Sequence, residues 1–79
     1  MNISKNYVVK VFLGSNTHYE QMKFSTPQEA EVNFEKVKTA IKEGKCAAIV
    51  LEDGTEIVIP SDKITVVKRF KMTAPHHKK

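Results

Sequence analysis

The feature that most constrains this fold is an Asp-Gly dipeptide between two runs rich in β-branched residues. Asp53-Gly54 separates CAAIVL from TEIVIP within the stretch from Cys46 to Phe70. Because Asp and Gly tolerate the positive φ that a tight turn requires, this pattern predicts a β-hairpin. Pro60 lacks a backbone donor and therefore ends the second strand, and the run ITVV begins a third.

The length of this turn sets the register of the hairpin, and two registers are open. A two-residue turn places Val50 opposite Ile57, whereas a three-residue turn with a glycine bulge places Ile49 there. Both registers put Ile57 and Ile59 on one face and leave apolar residues on the other. One helix can cover only one face, so we expect a protein partner or a second copy on the open face. Val50 and Val58 are the predicted protein-binding residues.

The clearest helix signals lie at its two ends. Thr26 can cap the first turn, Pro27 suits the first helical position, and Glu29 completes a capping box. Gly44 is a typical carboxyl-terminal stop, so we predict one helix from Pro27 to Glu43. Its apolar residues recur at helical spacing and should face the sheet: Ala30, Phe34, Val37 and Ile41.

Strands joined by hairpins around one helix predict an antiparallel sheet with the helix on one face. We expect an α+β fold of two layers, a single helix on a four- or five-stranded, mainly antiparallel sheet, in the order ββαβββ. Residues 1–72 form the single domain, and residues 73–79 form a basic, mobile tail with little to bury. The predicted strands are Tyr7–Leu13, His18–Phe24, Cys46–Leu51, Thr55–Pro60 and Lys63–Met72.

Alternation along the last strand divides its side chains into two sets. Ile64, Val66, Phe70 and Met72 share one parity, with Lys68 between them, and the other set is mostly basic. Since residues two apart share a face of a strand, we expect Val66 to lie on the helix side. The basic set should then face solvent.

Composition excludes several classes of protein. A chain of 79 residues supports one modest core, and no apolar run approaches the ~20 residues of a membrane span. The amino terminus lacks the apolar region of a secretory signal. Cys46 is the sole cysteine, so no intramolecular disulfide can form and we expect a reducing cytoplasm.

Catalytic patterns are weak throughout the sequence. Cys46 lacks an evident activating base, and a buried structural thiol is the better interpretation. His18 and the adjacent pair His76-His77 lack the spacing of a metal site, so a solvated tail explains the pair. The acidic residues around Asp53 fit a solvated turn better than an acid/base pair. We therefore expect a non-enzymatic protein with no cofactor and no small-molecule substrate.

Charge is unevenly distributed along the chain. Residues 1–62 carry a net charge of −2, and residues 63–79 carry +6. Nucleic-acid binding is therefore the alternative to protein binding, with Tyr7, Tyr19 or Phe70 stacking on bases. The same basic residues are also explained by a charged edge strand that discourages aggregation. Because the net charge of this end is modest, we favour protein binding over nucleic-acid binding. The candidate nucleic-acid-binding residues are Lys63, Lys68, Arg69, Lys71, Lys78 and Lys79.

The succession of elements has one resemblance. A capped helix, Gly, strand, Asp-Gly, strand, Pro and a final strand follow one another from Thr26 to Lys68. This part of the chain resembles the second half of many short microbial proteins, including phage-encoded ones. The resemblance contains no diagnostic motif and transfers no function. We expect a small accessory or inhibitory protein that acts through protein contacts.

Overall fold

Six regular elements follow one another in the order that the hydrophobic pattern predicts. In the computed structural model, residues 5–15 and 17–72 are described. One helix packs against antiparallel strands in the order ββαβββ, which confirms the α+β class. The predicted tail, residues 73–79, lies outside the described residues. The elements are β1 (Tyr7–Leu13), β2 (His18–Phe24), α1 (Pro27–Glu43), β3 (Cys46–Val50), β4 (Glu56–Pro60), and β5 (Ile64–Lys71), with a 3₁₀ turn at Ser61–Lys63.

Both ends of α1 lie where the capping residues predict. The Thr26 hydroxyl accepts a hydrogen bond from the Glu29 backbone N–H at 3.2 Å, which satisfies one free donor of the first turn. At the other end, Gly44 adopts a left-handed conformation with φ of 68°. The Lys45 N–H then reaches back to the Ala40 carbonyl at 2.9 Å and closes the helix.

The buried face of α1 is rotated from the predicted stripe. Ile41 is 43% exposed, Phe34 is only half-buried, and Asn33 lies in the core instead. The small side chain of Ala40 is buried, so at two of the four positions the buried residue is the one before the residue that we expected. This face consists of Ala30, Asn33, Val37 and Ala40.

The strands form two sheets rather than the single sheet of four or five that we expected. β1 is the central strand of an antiparallel sheet with the order β2-β1-β5, and β3 pairs only with β4 among the described strands. The 3₁₀ turn redirects the chain after Pro60, so β5 pairs with β1 instead of extending the hairpin. The Gly14 N–H donates to the Lys63 carbonyl at 2.9 Å and fixes this junction.

The β3–β4 hairpin has the three-residue turn. Ile49 pairs with Ile57 and Ala47 with Ile59, which selects the second of the two predicted registers. The Gly54 N–H donates to the Leu51 carbonyl at 2.9 Å, and Gly54 has φ of 92°, which a glycine adopts without strain.

The inner faces of both sheets and the buried face of α1 meet in one apolar core. Side chains from every element except β5 are fully enclosed there, and β5 adds half-buried Ile64 and Val67. The core comprises Val9, Val11, Met22, Phe24, Ala30, Val37, Ala40, Ala47, Ile49 and Ile59.

A bulge changes the alternation of side chains along β5. Leu13 pairs with Ile64 while Phe12 pairs with Val66, so Thr65 is the extra residue. Ile64 and Val67 therefore both pack against the core, although they are three residues apart. Our expectation that Val66 faces the helix is wrong, because beyond the bulge Val66, with Phe70, lies on the opposite face.

Candidate functional site

The face of the three-stranded sheet that points away from α1 is one candidate surface, which we call the outer face. On β1, the residues of the outer face alternate with core residues such as Val9 and Val11. The register of β2, β1 and β5 aligns the outer-face residues of the three strands in three rows. The rows are Tyr19, Phe12 and Val66; Gln21, Lys10 and Lys68; and Lys23, Val8 and Phe70.

The outer face is basic and aromatic. Three of its nine positions are lysine, three are aromatic, and none is Asp or Glu. Tyr19 is 53% exposed and Phe70 is 38% exposed, so both rings are accessible to a ligand. Val8, in contrast, is fully buried. A surface of this composition attracts anions and offers flat apolar contacts beside its charges.

Ring contacts position the lysines of the outer face. The Lys10 Nζ lies 4.1 Å from the centroid of the Tyr19 ring and 5.2 Å from that of Phe12. The Lys68 Nζ lies 5.5 Å from the Phe12 centroid. The Phe12 and Tyr19 rings are themselves 5.8 Å apart. These cation–π contacts hold two ammonium groups near the centre of the face instead of leaving them to extend freely.

The basic surface continues around the free edge of β5. Arg69 lies on the helix side, with its guanidinium carbon 5.5 Å from the Phe34 ring centroid. Lys71 is on the same side, its Nζ 5.7 Å from the Tyr7 ring centroid. An open cleft of about 530 Å³ runs along this edge and is lined by Lys10, Phe34, Val67, Lys68, Arg69 and Phe70.

The six basic residues named from the sequence do not share one surface. Lys68 lies on the outer face, whereas Arg69 and Lys71 point to the helix side of β5. Lys63 is in the 3₁₀ turn at the other end of this strand, and Lys78 and Lys79 lie outside the described residues.

Sequence reasoning missed Lys10 and Lys23 as members of the candidate site. Since residues two apart share a face of a strand, the sequence does put Lys10 with Phe12 on one strand and Lys23 with Tyr19 on the next. The missing information was that β1 pairs with both β2 and β5, which joins these residues to Lys68. Long-range pairing of this kind has no local signal in a single sequence.

The second candidate surface is the face of the β3–β4 hairpin that points away from the core, which we call the hairpin face. Val50 is 54% exposed and Val58 is 57% exposed, and the exposed side chain of Ala48 is directly opposite Val58. Cys46 and Pro60 form the next pair, and Cys46 is exposed rather than buried as expected. The hairpin is thus apolar on both faces, and only one of them packs into the core.

Two carboxylates meet where the hairpin turn approaches the start of α1. Glu52 accepts hydrogen bonds from the Ser25 N–H at 2.9 Å and the Ser25 hydroxyl at 2.7 Å. A hydrogen bond from the Glu29 carboxyl, followed by those from Ser25, lowers the pKa of Glu52 to about 2. The same contact with Glu52 raises the pKa of Glu29. These contacts hold the hairpin turn to the start of α1, which is a structural role.

Catalytic and metal-binding arrangements are not found in the described part of the chain. No hydrogen bond or ion pair joins Cys46 to a base there, and His18 contacts the neighbouring Thr17 hydroxyl at 3.4 Å. No group of three or more His, Cys, Asp or Glu side chains among residues 5–15 and 17–72 could hold a metal ion. Within those same ranges, the one α-helix is too short and polar to cross a membrane.

Comparisons with known proteins give no relative from which a function could be inferred. No protein-family model matches the chain, and no curated sequence or solved structure is significantly similar to it. Function is therefore inferred from the geometry and charge of the two surfaces described above.

Proposed function

We propose that this chain is a non-enzymatic binding protein whose outer face binds single-stranded nucleic acid. The observation that carries the proposal is the composition of that face, where three lysines lie beside three aromatic rings and no carboxylate is present. Lysines neutralise phosphates and release their condensed counterions, and aromatic rings stack on bases of any sequence.

Several features of the outer face favour an unpaired strand over a duplex. The exposed rings of Tyr19 and Phe70 lie at opposite corners of the face, with lysines between them. Rings in a sheet can stack only on bases that are splayed out, and in a duplex the bases stack on one another. Stacking contributes about 1–3 kcal/mol per base in such sites. The basic edge with Arg69 and Lys71 provides a path along which the phosphate backbone can continue.

The decisive experiment removes the lysines of the outer face. Fluorescence anisotropy would measure binding of labelled single-stranded DNA, single-stranded RNA and duplex DNA of equal length at several salt concentrations. In the variant Lys10→Gln/Lys23→Gln/Lys68→Gln, we expect weaker binding of single strands and a salt slope reduced by about 2, because each lost contact with a single strand removes ~0.7.

A matched variant separates the outer face from net charge. Lys36, Lys38 and Lys42 are exposed on α1, so changing all three to Gln removes the same charge from another surface. We expect this control to bind nearly as well as the wild-type protein. Equal losses in the two variants, or no binding of any strand at low salt, would contradict the proposal.

A second candidate function uses the hairpin face. Val50 and Val58 are both more than half exposed beside Ala48, and such apolar side chains are typical anchors of protein interfaces. We propose that this face makes protein–protein contacts, either with another protein or with a second copy. A cytoplasmic location belongs to the same proposal, since an exposed Cys46 suits a reducing compartment.

A further inference from the structure

The edges of the two sheets differ in how they are protected against pairing with another strand. Natural proteins protect exposed edges with charged residues, proline or bulges. β2 carries Glu20 and Lys23, β4 carries Glu56 and Pro60, and β5 carries basic residues and a bulge. β3, with the sequence CAAIV, is the one described edge strand without a charged residue or a proline.

Space for another strand exists beside β3. An open cleft of about 360 Å³ lies along β3 where the strand packs beside α1. One wall carries Val32, which is more than half exposed, and the other carries Cys46 and Ala48. Within the described residues, the backbone of β3 pairs only with β4, so its other edge has free N–H and C=O groups.

We propose that β3 pairs in antiparallel fashion with β3 of a second copy, centred on Ala48. The two hairpins then form one four-stranded sheet with β3 and its copy at the centre. Cys46 lies opposite Val50 of the partner subunit, and the two hairpin faces become one continuous apolar surface. This inference rests on the second candidate function and is independent of nucleic-acid binding by the outer face.

The charges around β3 favour a second copy as the occupant. Lys45 immediately precedes the strand, and Glu52 and Asp53 follow it. Antiparallel pairing brings the basic start of each strand towards the acidic end of the other, so unlike charges meet at both ends. Lys45 is highly exposed and is now 3.6 Å from Glu43, a surface contact that can rearrange at little cost.

The opposite edge of the hairpin explains why pairing would stop at two copies. After dimerisation the outer edges of the four-stranded sheet, as far as the described strands go, are those of β4, which carry Glu56 and Pro60. Pro60 has no N–H to donate, and the Glu56 carboxylate repels its equivalent in another dimer. The pairing therefore gives a closed two-fold dimer instead of a fibre.

Cysteine cross-linking tests the position of the two-fold axis. Residues opposite one another in antiparallel strands have Cα atoms about 4.5–5.5 Å apart, within the range of a disulfide. The variant Cys46→Ser/Ala48→Cys should therefore form a disulfide-linked dimer rapidly when treated with oxidised glutathione at micromolar protein. In the control Cys46→Ser/Val58→Cys, two strands lie between the equally exposed thiol and its equivalent on the partner, a distance of about 14 Å, so this variant should cross-link slowly. Equal rates would overturn the proposed pairing.

Sedimentation measures the same association without a covalent bond. The wild-type protein should change from monomer to dimer between micromolar and millimolar concentrations. Ala48→Lys places two like charges opposite each other at the axis and should remain monomeric, whereas Val58→Lys should still dimerise. A wild-type protein that is monomeric throughout would overturn the inference and leave another protein as occupant of the edge. Oligonucleotide binding by Ala48→Lys reports separately on the outer face, because Ala48 is not part of it.

Discussion

The outer face and the hairpin face are both sheet surfaces that the single helix leaves uncovered, yet their chemistry differs. The outer face combines lysines with aromatic rings, whereas the hairpin face presents Val50, Val58 and Ala48. Water solvates the lysines of the first surface well, but the exposed valines of the second gain free energy when they are buried. Exposure alone therefore says little about function, and the side chains decide which kind of partner each surface fits.

The largest expected effect comes from the buried side of the outer-face sheet. Phe24 is 1% exposed, so Phe24→Ala should lower the free energy of unfolding by about 3–5 kcal/mol. A fully packed Phe34, as the predicted apolar stripe implies, would make Phe34→Ala equally costly, but Phe34 is only half-buried and its truncation should cost less. Urea denaturation of both variants measures the difference. Equal losses would show that α1 contacts the sheet through the predicted stripe after all.

Removing a ring from the outer face should separate binding from stability. Tyr19→Ala is expected to weaken single-strand binding by about 1–3 kcal/mol, the usual contribution of one stacked base. Because the ring is about half exposed, the urea midpoint should change far less than for Phe24→Ala. Val50→Ser is the control on the other surface and should bind oligonucleotides normally. Loss of binding in Val50→Ser would mean that the two surfaces are not independent.

The hairpin face should show the opposite pattern. Val50→Ser removes an exposed apolar group that lies opposite the partner's Cys46 in the proposed dimer, so dimerisation measured by sedimentation should weaken by about 1 kcal/mol. Val58→Ser, on the outer strand β4, should dimerise like the wild-type protein. Oligonucleotide affinity per monomer should not change in either variant. If Val50→Ser also dimerises like the wild-type protein, the apolar surface does not contribute and the backbone edge alone holds the copies together.

The smallest expected effect concerns the Glu52 contacts that hold the hairpin turn to the start of α1. The folded-state pKa of Glu52 is lowered to about 2, so its stabilising effect is present above its ordinary value of 4.5 and is lost as pH falls towards 2. Glu52→Gln should therefore lower the melting temperature slightly at pH 7 and flatten the loss of stability between pH 5 and 2. The pKa of Glu29 is raised, so the stability that this group contributes changes in the opposite direction and is lost as pH rises. If the melting temperature of Glu52→Gln depends on pH in the same way as that of the wild-type protein, Glu52 does not stabilise the contact between the hairpin turn and α1.

Local signals in the sequence correctly predicted the two ends of the helix and the position of the hairpin. Thr26 and Gly44 bound the helix, and Asp53-Gly54 marks the hairpin, because capping and turn formation involve neighbouring residues. The rotation of α1 that buries Ala40 in place of Ile41 depends on the strands it meets, so the helical period alone could not give it.

The candidate surfaces were predictable to different degrees. Val50 and Val58 follow from alternation within one hairpin, and the structure places both on the exposed side. The outer face required the pairing of β1 with strands on both sides, one of them distant in sequence, and pairing between distant segments depends on the whole chain. A charge count along the sequence therefore identified Lys68 but not its neighbours Lys10 and Lys23.

The extra residue at Thr65 has a consequence for how this sheet can evolve. In a strand with strict alternation, successive side chains point to opposite faces of the sheet. The loss of one residue therefore moves every side chain on one side of the deletion to the other face. Here the bulge places Ile64 and Val67 in the core and Lys68 outside, which makes position 65 the point where the phase is set. A single codon inserted or deleted there would change which side chains the first residues of the strand present to solvent, while the pairing from Val66 onwards stays as it is. A length change at this position would therefore alter the strand end next to the 3₁₀ turn and leave the outer-face residues Val66, Lys68 and Phe70 in place.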